Sequence, residues 1–229
     1  MAIQWPEKLL KPQSVQADVA PRNLRGPTAT NGFAQVVSNS AGLWRVVFEN
    51  VPVYTREMIK TWRAIASFAD GQANAILIPV YDWDRAPLNS GLTRQSFCAN
   101  VDNVTHSDNS GFSDGSFYAQ GYIDVRVAEA AGIGSTTLSV TKISSADLEP
   151  GQRFSITGRL YEIKSITSQT ATTATIKLSL PLRESVDTYN YLDFARPRLK
   201  VRLASDNEMH LPLNFNRQGF KSLEFIEYL

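Results

Sequence analysis

The stretch from Gly151 to Leu182, GQRFSITGRLYEIKSITSQTATTATIKLSLPL, decides the fold class. Short runs of alternating apolar and polar residues predict three strands, at Arg153–Ile156, Leu160–Thr167 and Ala174–Leu182. A further strand is predicted just upstream, at Thr136–Thr141. Together these strands predict a small all-β, barrel-like domain over 131–188. The stretch shows no arrangement of acids, bases or metal ligands, which favours a mechanical role for this domain.

The residues on both sides of this domain predict a larger β-domain, formed by 33–130 and 189–229. It contains one clear helix signal at Thr55–Ala69, where Thr55 suits the N-cap and an apolar stripe that includes Trp62 follows helical spacing. Two strands, Phe33–Ser38 and Leu43–Val51, flank the turn-like sequence NSAG and predict a hairpin there. The fold class is therefore predicted as mainly β: a β-sandwich with one packed α-helix and a small inserted β-domain.

The remaining segments complete the predicted organisation. The first 32 residues are rich in Pro and weakly periodic, so they predict an extended arm that is either disordered or ordered on a neighbouring subunit. The polar stretch Asn89–Gly121 predicts a long loop, with a hairpin inside it as an alternative. Five further strands are predicted for the main domain: Ala75–Val80, Tyr122–Val127, Tyr189–Phe194, Arg198–Ala204 and Lys221–Tyr228. His210–Asn214 is predicted as a short additional one.

Composition excludes several classes of function. The 229-residue chain has a net charge of +1, which gives no overall bias toward nucleic acid or anionic membranes. The single cysteine, Cys98, excludes an intrachain disulfide and a Cys-based zinc cluster. No signal peptide and no apolar run long enough to span a bilayer is visible. We expect a protein that is made in the cytoplasm and stays there until it meets a partner.

The residues that carry most enzyme chemistry are scattered. His106 and His210, the two histidines, occur in no metal-binding pattern. Calcium would suit the oxygen-rich stretch 102–115, but the EF-hand spacing is absent, so a solvated loop is the favoured interpretation. Cys98 or a serine next to a histidine would need a nucleophile elbow, and none occurs. The stretch Gly132–Thr137, GIGSTT, lacks the lysine of a phosphate loop. We predict no enzyme, no cofactor and no metal site.

Aromatic residues suggest one candidate binding surface. In YDWD, Tyr81 and Trp83 alternate with two carboxylates, Asp82 and Asp84, and sugars stack on aromatic rings. Carboxylates so close together in sequence do not bracket a glycosidic bond, so binding is favoured over hydrolysis. The alternative is a tryptophan in the core or in an interface. The predicted glycan or partner contact comprises four residues: Tyr81, Trp83, Phe112 and Tyr118.

Basic residues suggest a second surface, in the stretch RPRLKVR. On a strand, Arg198, Lys200 and Arg202 share one face, which would meet phosphates or an acidic neighbouring subunit. The stretch has no interleaved aromatic residues, and the chain is nearly neutral, so a specific nucleic-acid ligand is not expected. The alternatives are a subunit-contact face and a solvated sheet face.

The order of these features resembles the distal tail and baseplate proteins of long-tailed bacteriophages. Three stretches carry the resemblance, which covers about Phe33 to Leu229: LWRVVFENVPVYTREMIKTWRAIASFADGQANAILIPVYDWDRAP, the β-module from GSTTLSVTKISS to KLSLPLRESV, and the ending RPRLKVRLASDNEMHLPLNFNRQGFKSLEFIEYL. The resemblance implies a ring-forming β-sandwich, often hexameric, that joins the tail tube to the tip. It also implies a peripheral β-domain that carries receptor contacts, and it brings no catalytic residues.

We therefore expect a structural component of a phage tail tip, located in the virion after synthesis in the host cytoplasm. The expected partners are copies of the chain in a ring, most simply a hexamer, and other tail tube and tail-tip proteins. A host surface glycan is a further candidate partner, and no membrane insertion is expected. The alternative function is a carbohydrate-binding adhesion module.

Overall fold

The computed structural model describes residues 2–28, 30, 34–81, 86–88, 108, 110, 112–114, 123–212 and 219–229; of 21–25, 27, 28 and 34–41 it gives the backbone alone. The chain is mainly β, with two sheets that include a curled half-barrel, and one helix within the described residues. The elements are β1 (Ile3–Gln4), β2 (Ser14–Thr28), β3 (Ala34–Val53), α1 (Arg56–Ala69), β4 (Ile76–Pro79), β5 (Asp124–Val127), β6 (Thr137–Ser144), β7 (Arg153–Ile156), β8 (Arg159–Gln169), β9 (Thr173–Leu178), β10 (Arg198–Leu203) and β11 (Gly219–Glu227).

The chain divides into two compact units, and the second is inserted into the first. Unit 1 comprises Met1–Tyr81 and Arg198–Leu229, and unit 2 comprises Asp82–Pro197. Unit 1 holds a six-stranded sheet in the order β1-β4-β10-β11-β3-β2, and unit 2 holds a five-stranded sheet in the order β5-β6-β9-β8-β7. Within these sheets the β1–β4 pair is parallel and the other pairs are antiparallel.

The inserted unit is larger at both ends than the predicted 131–188. The strand predicted at Tyr122–Val127 as part of the main domain appears as β5, which pairs with β6 in the unit 2 sheet. Val125 and Val127 are buried in the unit 2 core, as are Leu192 and Phe194 after the predicted end. Burial of these apolar side chains in the second core, and not their distance along the chain, decides which unit they join.

The helix prediction is confirmed, and its ends have clear causes. The Thr55 hydroxyl accepts a hydrogen bond from the Met58 amide at 3.1 Å, which satisfies one free donor of the first turn. Trp62, Ile65 and Ala69 form the buried stripe. The helix ends at Asp70, in the left-handed region at φ 45°, and Gly71 continues that conformation at φ 63°.

The four strands predicted between Thr136 and Leu182 are also confirmed. β7 has the predicted bounds, and β8, β9 and β6 differ from the predicted strands by a few residues at their ends. Thr157 and Gly158 connect β7 to β8, both with positive φ, as in the two-residue turns that match strand twist. The buried side chains that alternate along these strands form the core of unit 2.

The predicted hairpin around Asn39–Gly42 is wrong, because β3 runs unbroken from Ala34 to Val53. Its partner is β2: Ala20 pairs with Leu43, and Arg22 pairs with Asn39. Pro21 alone therefore lies opposite residues 40–42, which form a bulge. Proline has no amide hydrogen to donate to the ladder, so a bulge is a favourable place for it in a sheet. The turn-like residues mark this irregularity instead of a chain reversal.

The described part of the first 32 residues does not form the predicted extended arm, neither a disordered one nor one that orders on a neighbouring subunit. Residues 3–4 pair with β4, and Ser14–Thr28 pairs with β3, so most of the segment belongs to the chain's own sheet. Trp5 and Leu10 are fully buried, and the Trp5 indole nitrogen donates to the Leu10 carbonyl oxygen at 2.9 Å. Burial of these apolar side chains stabilises the packing of the segment on the sheet, although its Pro-rich sequence is only weakly periodic.

Two other predicted strands differ from the structure. In place of a strand at Tyr189–Phe194, residues 187–190 form a turn, and isolated bridges follow at Tyr191 and Asp193. Residues 210–212 of the strand predicted at His210–Asn214 are not in a strand, and the rest lies outside the described residues. Nearly all of the predicted loop Asn89–Gly121 also lies outside them.

Aromatic side chains dominate the core of unit 1. Trp5 lies edge-on to Phe48, Trp62 and Phe225, with ring centroids 5.6, 6.3 and 6.0 Å away. Phe48 and Phe225 come from the neighbouring strands β3 and β11, and their centroids are 5.2 Å apart. The inner face of the six-stranded sheet therefore packs against both the N-terminal segment and α1, which leaves the other face of the sheet without a covering helix from the described part of unit 1.

Candidate functional site

The predicted basic row lies on the outer face of the six-stranded sheet. Along β10, Leu199, Val201 and Leu203 are buried, so the intervening residues point the other way. Arg198 and Lys200 are half-buried on that outer face, and Arg202 is exposed. The structure thus brings these three residues onto one face, as the alternation predicts.

Neighbouring groups already engage two of the three basic residues. Arg198 lies 3.8 Å from the Glu7 carboxylate. With the Gln4 amide turned so that its oxygen faces Arg198, that oxygen accepts from Nη1 at 3.2 Å and Nη2 at 3.1 Å. The Lys200 ammonium lies 5.0 Å from the centre of the Tyr228 ring, within cation–π range. Arg198 therefore holds the N-terminal segment against β10, and little of its charge remains for a phosphate.

The strands beside β10 make this face mixed in charge. Arg45 on β3 and Glu224 on β11 form an ion pair, in which the hydrogen bond and then the charge of Glu224 raise the pKa of Arg45. Val47 and Ile226 lie half-buried on the same face, since their strand neighbours point into the core. Apolar groups between paired charges suit contact with another protein surface better than contact with a polyanion.

One end of this outer face carries exposed aromatic residues. Phe220 is 56% exposed and pairs across the sheet with Pro52, and Tyr54, just beyond β3, is 53% exposed. Pattern analysis of the sequence missed them. The signal was present in the alternation of β11: because Leu223 and Phe225 face the core, a residue five before Phe225 lies on the opposite face.

The predicted aromatic group is described only in part. Tyr81 packs on the core residue Phe48, with ring centroids 6.3 Å apart, and burial raises the pKa of its phenol to about 12, with the charge of Glu7 as a second cause. Phe112 is 39% exposed. Trp83 and Tyr118 lie outside the described residues, so the group of four stays a prediction. Tyr81 itself offers little ring surface to a ligand.

The side chains that bind metals in proteins stay apart in the described segments. No group of three or more His, Cys, Asp or Glu side chains within these segments is arranged to hold a metal ion. Asp108, from the oxygen-rich stretch, accepts hydrogen bonds from the hydroxyl and the amide of Ser110, which lower the pKa of its carboxyl. This is a local turn, formed by neighbouring residues.

No protein-family model matches this sequence, and no curated protein matches it either. Among the residues that the structure describes, none of the helical segments is both long enough and apolar enough to cross a membrane.

Proposed function

We propose that this chain is a structural component of a bacteriophage tail tip, which forms a ring that links the tail tube to the baseplate or receptor-binding apparatus. The observation that carries the proposal is the β2–β3 ribbon, defined as residues 22–28 paired with residues 34–39. Only Arg45–Val53 of β3 pair with β11, so within the described residues the ribbon extends past the six-stranded sheet as two strands alone.

Such a ribbon needs a partner. A two-stranded hairpin is marginally stable in water, because it has too little apolar contact to offset the ordering of its backbone. β2 is also an edge of the sheet over its whole length of 15 residues, and a long edge presents unpaired amide and carbonyl groups to other chains. A head-to-tail ring supplies a neighbour to every such edge and closes after a fixed number of copies.

The outer face of the six-stranded sheet supports the same proposal. Its alternating charges around Arg45 and Glu224, with aliphatic groups between them, suit a specific and only partly apolar contact between subunits. In this assignment unit 1 forms the ring as a β-sandwich-type domain with one helix, and unit 2 is the peripheral, barrel-like domain. The role is structural, without a catalytic step, and the mature location is the virion tail.

Shortening the ribbon tests this proposal. Ala20 and Leu43 are paired, so an Asn-Gly turn joining them removes residues 21–42 and leaves the pairs from Ser14–Glu49 to Ala20–Leu43 in place. We expect the native chain to give closed oligomers, most simply hexamers, in native mass spectrometry, alone or with tail components. The shortened chain should stay monomeric with an unchanged β-type circular dichroism spectrum. A native chain that remains a monomer and joins no tail component would contradict the proposal.

A further inference from the structure

Unit 2 presents two tyrosines to solvent. Tyr189 is 91% exposed and Tyr191 is 63% exposed. Tyrosine is a rigid, amphipathic side chain with two rotatable bonds, so it loses little entropy when a ligand covers it. A ring that is almost completely exposed contributes little to the core of unit 2. Its position therefore depends on the conformation of the backbone that carries it.

A tight turn holds that backbone. The Tyr189 amide donates to Asp187 Oδ1 at 2.9 Å, and the Asp187 amide donates to Asn190 Oδ1 at 2.8 Å. The Asn190 amide in turn donates to the Asp187 carbonyl oxygen at 3.1 Å. These three bonds fix the turn 187–190 locally, so Tyr189 is presented on a preorganised support.

Tyr191 lies beside a fixed guanidinium group. Tyr191 forms an antiparallel bridge with Arg126, and hydrogen bonds on both sides of the bridge, to Val125 and Val127, align the two backbones. Arg126 donates to both carboxylate oxygens of Asp124, each at 2.9 Å. Cross-strand partners are close enough for their side chains to interact, so this pair places donors next to an exposed ring.

A shallow depression adjoins the same turn, with which it shares Asp187. Its volume is about 340 Å³, and it is lined by residues 130–132 and 185–187, which a two-way backbone bridge between Ala131 and Val186 holds together. The small lining residues, Ala130, Ala131 and Gly132, let a ligand approach the backbone, and Ser185 and Asp187 supply polar groups. Asp187 belongs to both the depression and the turn, so the Tyr189 backbone lies two residues from the lining of the depression.

From this arrangement we propose that the Tyr189 turn and the depression form a binding site for an uncharged hexopyranose of an oligosaccharide, with Tyr191 as a contact for a more distant sugar ring of the same oligosaccharide. The apolar face of a pyranose ring stacks on a tyrosine, while its hydroxyl groups exchange hydrogen bonds with Ser185 and the Asp187 carboxylate. The volume is at the lower end for small-ligand sites and suits one or two sugar rings. Asp187 is the charged group among the described residues that line the depression, and the Arg126 guanidinium near Tyr191 is already paired with Asp124, so an anionic sugar is disfavoured. The site belongs to unit 2, whereas the ring contact is proposed for unit 1, and it gives the alternative carbohydrate-binding function a location.

The test uses the intact chain on an array of neutral oligosaccharides, followed by calorimetric titration with the strongest one. Tyr189→Ala should weaken binding at least about tenfold, which corresponds to about 1.4 kcal/mol. Tyr189→Phe should stay close to the native affinity, because it keeps the ring. Gly132→Phe should also abolish binding: Gly132 lines the depression, a Cβ there meets no atom within 4 Å, and its φ is outside the left-handed region. Tyr54→Ala, which removes an exposed tyrosine from unit 1, is the matched control and should leave binding unchanged.

Three outcomes would overturn the proposal: no neutral oligosaccharide binds, only anionic glycans bind, or Tyr189→Ala and Gly132→Phe both bind as well as the native chain. Native mass spectrometry of the same samples keeps this result separate from ring assembly. Both substitutions lie in unit 2 and leave the sequence of the β2–β3 ribbon intact, so the oligomeric state should be the same in every variant, whichever way the sugar experiment ends.

Discussion

Replacing Trp62 with alanine is expected to destabilise unit 1 strongly. Trp62 is 1% exposed, lies edge-on to Trp5, and donates from its indole nitrogen to the Met209 carbonyl oxygen at 2.8 Å. Removing a buried tryptophan side chain costs about 3–5 kcal/mol through lost burial and the remaining cavity. The Met209 carbonyl, left without its donor, adds about 1–3 kcal/mol unless water reaches it. The total is a large part of the stability of a typical domain, about 5–15 kcal/mol.

Denaturant unfolding followed by tryptophan fluorescence measures this effect. Two other tryptophans, Trp5 and Trp44, are buried in unit 1 and report its unfolding in the variant. Trp62→Phe separates the two causes: it keeps much of the volume and loses the donor, so it should cost clearly less than alanine. Lys60→Ala, on the exposed side of α1, should change the free energy of unfolding by less than about 0.5 kcal/mol. A Trp62→Ala midpoint equal to that of Lys60→Ala would refute the packing of α1 on the inner face of the sheet.

Three further predictions concern single groups. Burial raises the folded-state pKa of Tyr81 from 10.0 to about 12. The neutral phenol therefore stabilises unit 1 fully below pH 10, and this contribution is lost as the pH rises toward 12. Between pH 10 and 12, the free energy of unfolding should depend less steeply on pH in Tyr81→Phe than in the native chain. The Lys142 side chain is 2% exposed and its ammonium donates to Asp147 at 2.7 Å. Asp147→Ala leaves this buried charge without that partner, so it should lower the unfolding free energy of unit 2 by about 1–3 kcal/mol. The apolar replacement Lys142→Met should be nearly neutral, and differential scanning calorimetry measures both variants. Gly71→Ala should lower the melting temperature, because φ is +63° and a Cβ would lie 2.5 Å from Asp206 Oδ1; Ala73→Gly, two residues away, is the control.

Features that depend on neighbouring residues could be predicted from the sequence. The helix follows from the Thr55 cap and the spacing of Trp62, Ile65 and Ala69, all within one segment. The strands β7 and β8 follow from alternation around a two-residue turn. The basic row on β10 follows from the same two-residue period, since the buried residues between its members were visible as leucine and valine.

Features that depend on pairing between distant segments could not be predicted. Trp5 is held by contacts with Phe48, Trp62 and Phe225, and no local pattern around it indicates a core residue. The sequence predicts a strand at Tyr189–Phe194, which includes the two tyrosines of the unit 2 surface. The hydrogen bonds of Asp187 and Asn190 form a turn instead, and such side-chain bonds compete with strand pairing without changing the apolar pattern.

The bulge opposite Pro21 lies where the sequence predicts a hairpin, and it also bears on the proposed assembly. On one side of it, β2 and β3 belong to a six-stranded sheet whose inner face packs on the core; on the other side they continue as the two-stranded ribbon. Bulges bend a strand and increase its twist, so we expect this one to change the direction of the ribbon where it leaves the sheet. Proline fixes its own φ and lacks a donor, which makes the position of the bend specific. A ribbon that leaves the sheet at a fixed bend can meet a neighbouring copy in one orientation, and a closed ring requires the same orientation at every contact.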